Sequence, residues 1–259
     1  MPDANGNELD AIESDPRTVL QDEFTRTASG FAERTKGRFD DLDAPTFSRL
    51  DPGGSVLEVG AGTGNFLALF EGLAGPRVAF DLTPAMLVEA RSRQPDLGLV
   101  AGDGARLPFA PNSFDLVASA QMLHHIHDPL PILREMRRVA GSRGRVLIVD
   151  QYASERFEEA TIMNELELIR DPSHAVSRPP SAFRIMVQSA GLRIVDEKLW
   201  QGPSAFSKWM WPGEFPEERI AEVRGFIARF GAETGMGWEP QGNDYVFTRR
   251  RIMLLAERG

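Results

Sequence analysis

Apolar residues in this chain follow two alternating rhythms. Short, largely apolar runs at Val56–Val59, Arg77–Asp81, Leu97–Val100, Ser113–Ser119 and Gly144–Asp150, all but the fourth stopping at or within two residues of a glycine or an acid, predict buried strands. Between them apolar positions return at helical spacing. Phe66, Leu67, Leu69, Phe70 and Leu73 predict a helix after the first run, Thr83 and Pro84 supply an N-cap and a first helical position, and Pro131 to Val139 gives a third helix ending near Gly141. Strand–helix alternation requires parallel pairing through right-handed crossovers, so the pattern predicts an open, doubly wound α/β sheet covered by helices.

The flanks add to this frame. Leu20, Phe24, Ala28 and Phe31 step through an amphipathic helix over residues 17–37, and Ala44 to Leu50 forms a short helix before the turn Asp51-Pro52-Gly53-Gly54. Helices are expected over Glu155–Ile169 and Ser181–Ser189, separated by Arg170-Asp171-Pro172-Ser173-His174. Strands are expected at Leu192–Trp200 and Asp244–Glu257. About 40 residues lie between those two strands, long enough to be functional or separately packed. This insertion, about 200–243, carries Phe206, Trp209, Met210, Trp211, Phe215 and Trp238, and Ile220, Val223, Ile227 and Phe230 give it a helix of its own. Starting at a parallel strand's carboxyl end, it is expected on the ligand face, where its aromatics suit an apolar or aromatic small molecule. Packing of the insertion or a homodimer contact explains most of them equally well.

Composition narrows the function. The chain has 259 residues, 42% of them hydrophobic, which suits one domain with additions. Residues 1–16 hold acids and no base other than the terminus, and read as a disordered tail ahead of a single domain, 17–259. A net charge of −9 argues against a broad nucleic-acid footprint. No run approaches the ~18 apolar residues of a membrane span, and a cytoplasmic protein is expected. The absence of cysteine excludes disulfides, thiol nucleophiles, cysteine-ligated zinc and iron–sulfur chemistry.

Candidate chemistry starts at Glu58-Val59-Gly60-Ala61-Gly62-Thr63-Gly64. The glycines let the backbone turn tightly after the first strand, and a following helix start would expose N–H groups to an anion. A dinucleotide fingerprint would place glycine at position 65, where Asn65 stands, and gains nothing from the acid Glu58; a ligand bearing an amine does. Asp81 follows Gly60 at the roughly 20-residue spacing that puts an acid on both hydroxyls of a ribose, and Leu82 can cover an adenine face. Asp103 in Gly102-Asp103-Gly104-Ala105 is a second acid at a strand tip, with a plain Asx-turn as its competing reading.

The acidic-x-Gly-x-Gly-x-Gly stretch and Gly102-Asp103 followed by Leu107-Pro108-Phe109 resemble the class I S-adenosylmethionine (SAM) methyltransferases. The resemblance is to the small-molecule branch that includes the ubiquinone and menaquinone biosynthesis enzymes. It implies a seven-stranded, mostly parallel sheet with an antiparallel last strand at the edge. It also implies a leading helix that closes as a lid over the cofactor, and methyl transfer to an oxygen, nitrogen or carbon nucleophile of a small apolar or aromatic acceptor. The implied cofactor residues are Glu58, Gly60, Ala61, Gly62, Gly64, Asp81, Leu82, Met86, Asp103, Gly104, Ala105 and Gln121, with Asp103 on the adenine amine. Nucleic acid is not the expected acceptor, because the Asn-Pro-Pro-Tyr tetrad of the adenine methyltransferases is missing.

Three of the four histidines cluster after the fourth strand, in His124-His125-Ile126-His127. His124, His125 and the more distant His174 are the candidates for a general base; a brace for the loop is the competing role, and His124, His127 and Asp128 form a conceivable but isolated metal set. Cyclisation or decarboxylation supported by SAM, a non-catalytic SAM-binding module and a nicotinamide-dependent oxidoreductase are the alternative functions.

Overall fold

The computed structural model describes residues 15–73, 75–210 and 215–259. The expected acidic tail, apart from its last two residues, and Trp211 of the insertion lie outside them. The described strands form one sheet in the order β3 (Gly98–Ala101), β2 (Arg77–Asp81), β1 (Val56–Val59), β4 (Phe114–Ala120), β5 (Ala140–Gln151), β8 (Asp244–Arg258), β6 (Leu192–Ala205), with the short β7 (Glu239–Gln241) paired to β8. The pairings from β3 to β5 are parallel, and β8 runs antiparallel to both β5 and β6. The doubly wound, mostly parallel α/β sheet and its antiparallel final strand are therefore as the sequence predicts. Its position is not: β8 inserts between β5 and β6, leaving β6 at the edge. Ile252 to Ala256 are almost wholly buried, and such an apolar run needs cover on both faces and pairing on both sides.

Alternation along the strands builds a core on each face. Leu57 and Val59, Val117, Ile148 and Leu254 meet Ile132, Leu133 and Met136 of α4 (Leu130–Val139) and Phe183 and Val187 of α6 (Pro180–Ser189). The opposite face takes Val56, Leu116, Leu147, Val149 and Met253. They pack with Ala44 of α2 (Ala44–Ser48), Phe66, Leu67 and Phe70, and Leu87 and Ala90 of α3 (Pro84–Arg93). After the glycine turn the expected helix is only a 3-10 turn, Leu67–Phe70. The chain must reach β2 within a few residues of it, and Gly72 turns back with φ 74°. Phe70 is nonetheless fully buried, a burial that stabilises by about 1.5–3 kcal/mol.

Two elements stand over the carboxyl ends of the strands. Helix α1 (Pro16–Arg34) lies beside α3, held by Arg93 to Glu33 at 2.8 Å and by Gln21 Nε2 to the Leu82 carbonyl at 3.1 Å. The insertion forms α7 (Phe206–Met210) and α8 (Glu217–Phe230). These pack with Met163 and Leu166 of α5 (Phe157–Arg170) into a third core. Phe206 and Met210 are buried there, and Trp238 stacks on Phe247 at 4.3 Å, so these aromatics serve packing.

Candidate active site

A cavity of about 720 Å³ opens at the carboxyl ends of the parallel strands, with Phe24, Thr27 and Phe31 of α1 on one side and Trp200, Trp209 and Phe215 on another. Glu58, Gly60, Ala61, Gly62, Asp81, Leu82, Met86, Asp103, Gly104, Ala105, Gln121, His124 and His125 all line it. Gly64 and His174 do not. Gly64 supports the turn from behind: its carbonyl accepts a 2.8 Å bond from Gln94 Nε2.

The glycine turn is built for close approach but not for an anion. Gly60 has φ 75°, and a side chain there would run into Met122. The N–H groups of Gly60 and Ala61 both donate to the Phe80 carbonyl, Gly64 N–H donates to the Ala61 carbonyl, and Gly62 N–H donates to Asp81 Oδ2 at 2.7 Å. With those donors consumed, and no α-helix following, the expected anion cradle is not formed. The turn offers a carboxylate instead. Glu58 is buried, its Oε2 has no partner, and burial followed by the nearby Asp81 pushes its carboxyl well above the usual range. An amine or other cationic group in the cavity satisfies that oxygen; a diphosphate repels it.

Asp81 is oriented by its neighbours. Oδ2 takes the Gly62 N–H and Oδ1 the Thr83 N–H at 2.8 Å, while burial raises its pKa against those bonds. Held this way at the tip of β2, it presents its remaining lone pairs as acceptors for hydroxyls. Thr83 makes no side-chain cap bond to α3. Asp103 Oδ1 closes an Asx-turn on Ala105 N–H at 2.9 Å, and its other oxygen pairs with Arg17 of α1 at 3.0 Å. Glu58, Asp81 and Asp103 thus line one wall with an unpaired amine acceptor and hydroxyl acceptors. That set of acceptors fits the amine, sulfonium and ribose of SAM.

The histidines divide sharply. His124 is buried with Nδ1 at 2.6 Å from Asp150 Oδ1. Burial, then His125 and His174, hold its pKa well below the ordinary value, and burial lifts Asp150 to about 6. His174 is buried away from the cavity. Ser177 N–H donates to Asn164 Oδ1, so that oxygen accepts from His174 Nε2 at 2.9 Å, and burial lowers the imidazole to about 4. His125 differs. Its Nδ1 lies 3.0 Å from the Ser173 carbonyl, which can only accept, so the proton sits on Nδ1 and Nε2 keeps its lone pair. Ser173 Oγ, 3.1 Å from the same nitrogen, donates to Asp171 Oδ1 at 2.6 Å, and Phe24 of α1 meets the ring edge-on at 5.3 Å. Among the described residues, His124, His127 and Asp128 do not form a metal-binding group.

Sequence reasoning missed the basic side of the cavity. Arg38, Arg170, Arg249 and Arg251 line it together, and Gln121 stands between them and the glycine turn in the left-handed conformation, φ 56°. Such backbone strain in a non-glycine residue is frequent at ligand sites. The available signal was Arg249-Arg250-Arg251 in the middle of the last strand, where alternation sends the first and third to one face.

The fold and the site define a class I SAM-dependent methyltransferase (EC 2.1.1.-). Residues 57–148 match the family described as methyltransferase domain. The uncharacterized methyltransferase YcgJ of Bacillus subtilis is 30% identical over 173 residues, 65% of this chain and 68% of that protein. Its crystal structure superposes with a TM-score of 0.76 at 25% identity, covering 83% of this chain and 96% of that one. The demethylmenaquinone methyltransferase of Renibacterium salmoninarum is 32% identical over 61% of this chain and 65% of its own length. A Haemonchus contortus phosphoethanolamine N-methyltransferase 2 in complex with SAM shares the fold, with a TM-score of 0.62 at 16% identity over 95% of this chain and 60% of that one. The chain belongs to this methyltransferase-domain family. No helix among the described residues is long and apolar enough to cross a membrane.

Proposed function

We propose that the cavity binds SAM along the wall of Glu58, Gly60, Asp81 and Asp103 and methylates a small aromatic acceptor admitted beside His125. Carrying this reading is the unpartnered Oε2 of the buried Glu58 beside a glycine turn whose glycine N–H groups are spent, an arrangement suited to a cationic ligand.

SAM, when bound, supplies an electrophilic methyl group. The chain's own residues do the rest. Glu58 takes the ligand amine, Asp81 the ribose hydroxyls, and Gly60 lets the backbone approach. His125 Nε2, its tautomer set by the Ser173 carbonyl, removes the acceptor proton as the nucleophile develops. Asp171 supports the imidazolium that results: burial pushes its carboxyl up, but His125, Arg170 and the Ser173 bonds outweigh burial and keep it ionised. His124 and His174 brace this loop. Helix α1 and the insertion keep water from the reacting groups, so that positioning and desolvation contribute most of the acceleration.

Calorimetric titration with S-adenosylhomocysteine, with NADH as control, tests the cofactor site; binding of NADH alone sinks it. A panel of hydroxylated aryl acceptors then tests the reaction through product mass. One added methyl per S-adenosylhomocysteine formed is expected, and an unmethylated product would mean a cyclisation or decarboxylation. His125→Ala should lower turnover by about 10²–10⁴ while S-adenosylhomocysteine affinity stays near normal. Unchanged turnover removes the base from His125.

A further inference from the structure

On the acceptor side of the cavity, two of the four arginines have no carboxylate in contact among the described residues. Arg251 is held by Asp41 at 2.9 and 2.5 Å and lies 4.3 Å over the Trp200 ring. Arg170 is held by Glu167 at 2.8 Å and lies 4.8 Å over Trp209. Asp171 is engaged by Ser173 and faces Arg170 at 3.8 Å, and Asp150 meets His124 and the Gln151 N–H through Oδ1, its Oδ2 being buried without a hydrogen bond. Arg38 and Arg249 remain. Among the described residues neither forms an ion pair with a carboxylate. Instead both donate to one neutral atom, Gln121 Oε1, at 3.0 and 3.4 Å.

Two cations sharing a neutral acceptor in a desolvated pocket repel each other, and removal of such charges from water is unfavourable unless an anion offsets it. Burial, then Arg170 and Arg251, pulls the Arg38 guanidinium down to about 10; burial, then Arg38 and Arg251, pulls Arg249 well below its ordinary value. The surrounding donors are unfilled as well. Because Gln121 Oε1 is taken by the arginines, its amide orientation is set, and its Nε2 is buried without a partner; so is Arg38 Nε. Together these groups offer an excess of N–H donors and two full charges beside the aromatic wall of Trp200 and Trp209.

We propose that the acceptor carries an oxyanion, a carboxylate or a phosphate ester, on an aromatic body, and that Arg38, Arg249 and Gln121 bind it. The guanidinium forks match the paired oxygens of either group, and the tryptophans cover the ring. This deepens the reading of the cavity as a cofactor-and-acceptor site and rests on it. Anchored through its anion, the acceptor is oriented with its nucleophile away from the arginines, toward His125.

The test is calorimetric titration of the full chain with benzoate, benzamide and phenyl phosphate, with and without saturating S-adenosylhomocysteine. The acid or the phosphate should bind about tenfold or more tighter than the isosteric neutral amide. Arg38→Gln and Arg249→Gln should each abolish that preference while thermal stability does not fall and S-adenosylhomocysteine affinity stays near wild type. The order of benzoate and phenyl phosphate tells which oxyanion the site is shaped for. Equal affinity for benzoate and benzamide overturns the proposal, as do an anion preference undiminished in both variants and an absence of binding by both anions. The wild-type comparison needs no variant to fold. Failure of S-adenosylhomocysteine to bind would refute the cofactor reading separately, because the benzoate–benzamide comparison is also made without it.

Discussion

The two ends of the cavity carry opposite charge and were assembled in opposite ways. On the side proposed for the cofactor the polar groups are carboxylates, Glu58, Asp81 and Asp103, all placed at or near the carboxyl ends of adjacent strands within one stretch of chain. On the side proposed for the acceptor they are arginines from a loop after α1, from the end of α5 and from β8, two of which meet over Gln121. The carboxylates are oriented mainly by strand-end turns of that stretch, Asp81 by the Gly62 and Thr83 N–H groups and Asp103 by its Asx-turn, whereas the arginines come together only from elements far apart in sequence. A site that must hold a constant ligand can be encoded locally. Specificity for a variable one is drawn from distant elements that can change independently.

Removing one side should leave the other working. The largest effect is expected for Asp81→Ala, which deletes the hydroxyl acceptors. Two lost bonds to a charged group amount to about 3 kcal/mol or more, so S-adenosylhomocysteine affinity should fall about 100-fold or more, with benzoate affinity measured without cofactor unchanged. Parallel losses for both ligands would show that the two sides are not separable.

A second expectation concerns the scaffold under the acceptor side. His174 has a folded pKa of about 4 against an ordinary 6.5, so the native state binds fewer protons than the unfolded chain between those values. Stability from this group is present above pH 6.5 and is lost as the pH falls toward 4, by roughly 3 kcal/mol. Asp150, raised to about 6, acts in the opposite sense: its contribution is present at low pH and lost as the pH rises through 6. Urea denaturation of wild type and His174→Gln at pH 7 and pH 4.5 isolates the histidine. The difference in stability between them should shift in favour of the variant at the lower pH; an unshifted difference would contradict the buried neutral imidazole.

The smallest effect should come from Arg17→Ala. Its pair with Asp103 is solvent-exposed at the arginine, and such pairs contribute about 0–1 kcal/mol. Cofactor affinity should change by less than about fivefold and the change should vanish in high salt. A loss comparable to that of Asp81→Ala would make the α1 contact a principal part of the cofactor site.

Local chemistry accounts for most of what could be read ahead of the structure. Val56 to Val59 and Arg77 to Asp81 are strands with the bounds that their apolar runs predict, because a buried parallel strand needs little besides such a run and a stop. Glu58, Asp81 and Asp103 followed from their positions at strand ends. Where the reading failed, the cause was competition between segments. Phe66 to Leu73 has helical spacing, but the short return to β2 leaves room only for a 3-10 turn. The anion cradle at the glycines disappeared because Phe80 and Asp81, on the next strand, took its N–H groups.

By itself the sequence determined the α/β class, the strand tips that carry the acids and the choice of a cationic ligand over a diphosphate. All three follow from residue type and short spacing, through side-chain period and backbone turning. The tertiary structure alone decided that β8 lies inside the sheet, that His125 rather than His174 faces the cavity, and that Arg38 and Arg249 share one neutral oxygen. Each of these is a meeting of groups far apart along the chain, where desolvation and charge, which no local pattern records, determine what a side chain can do.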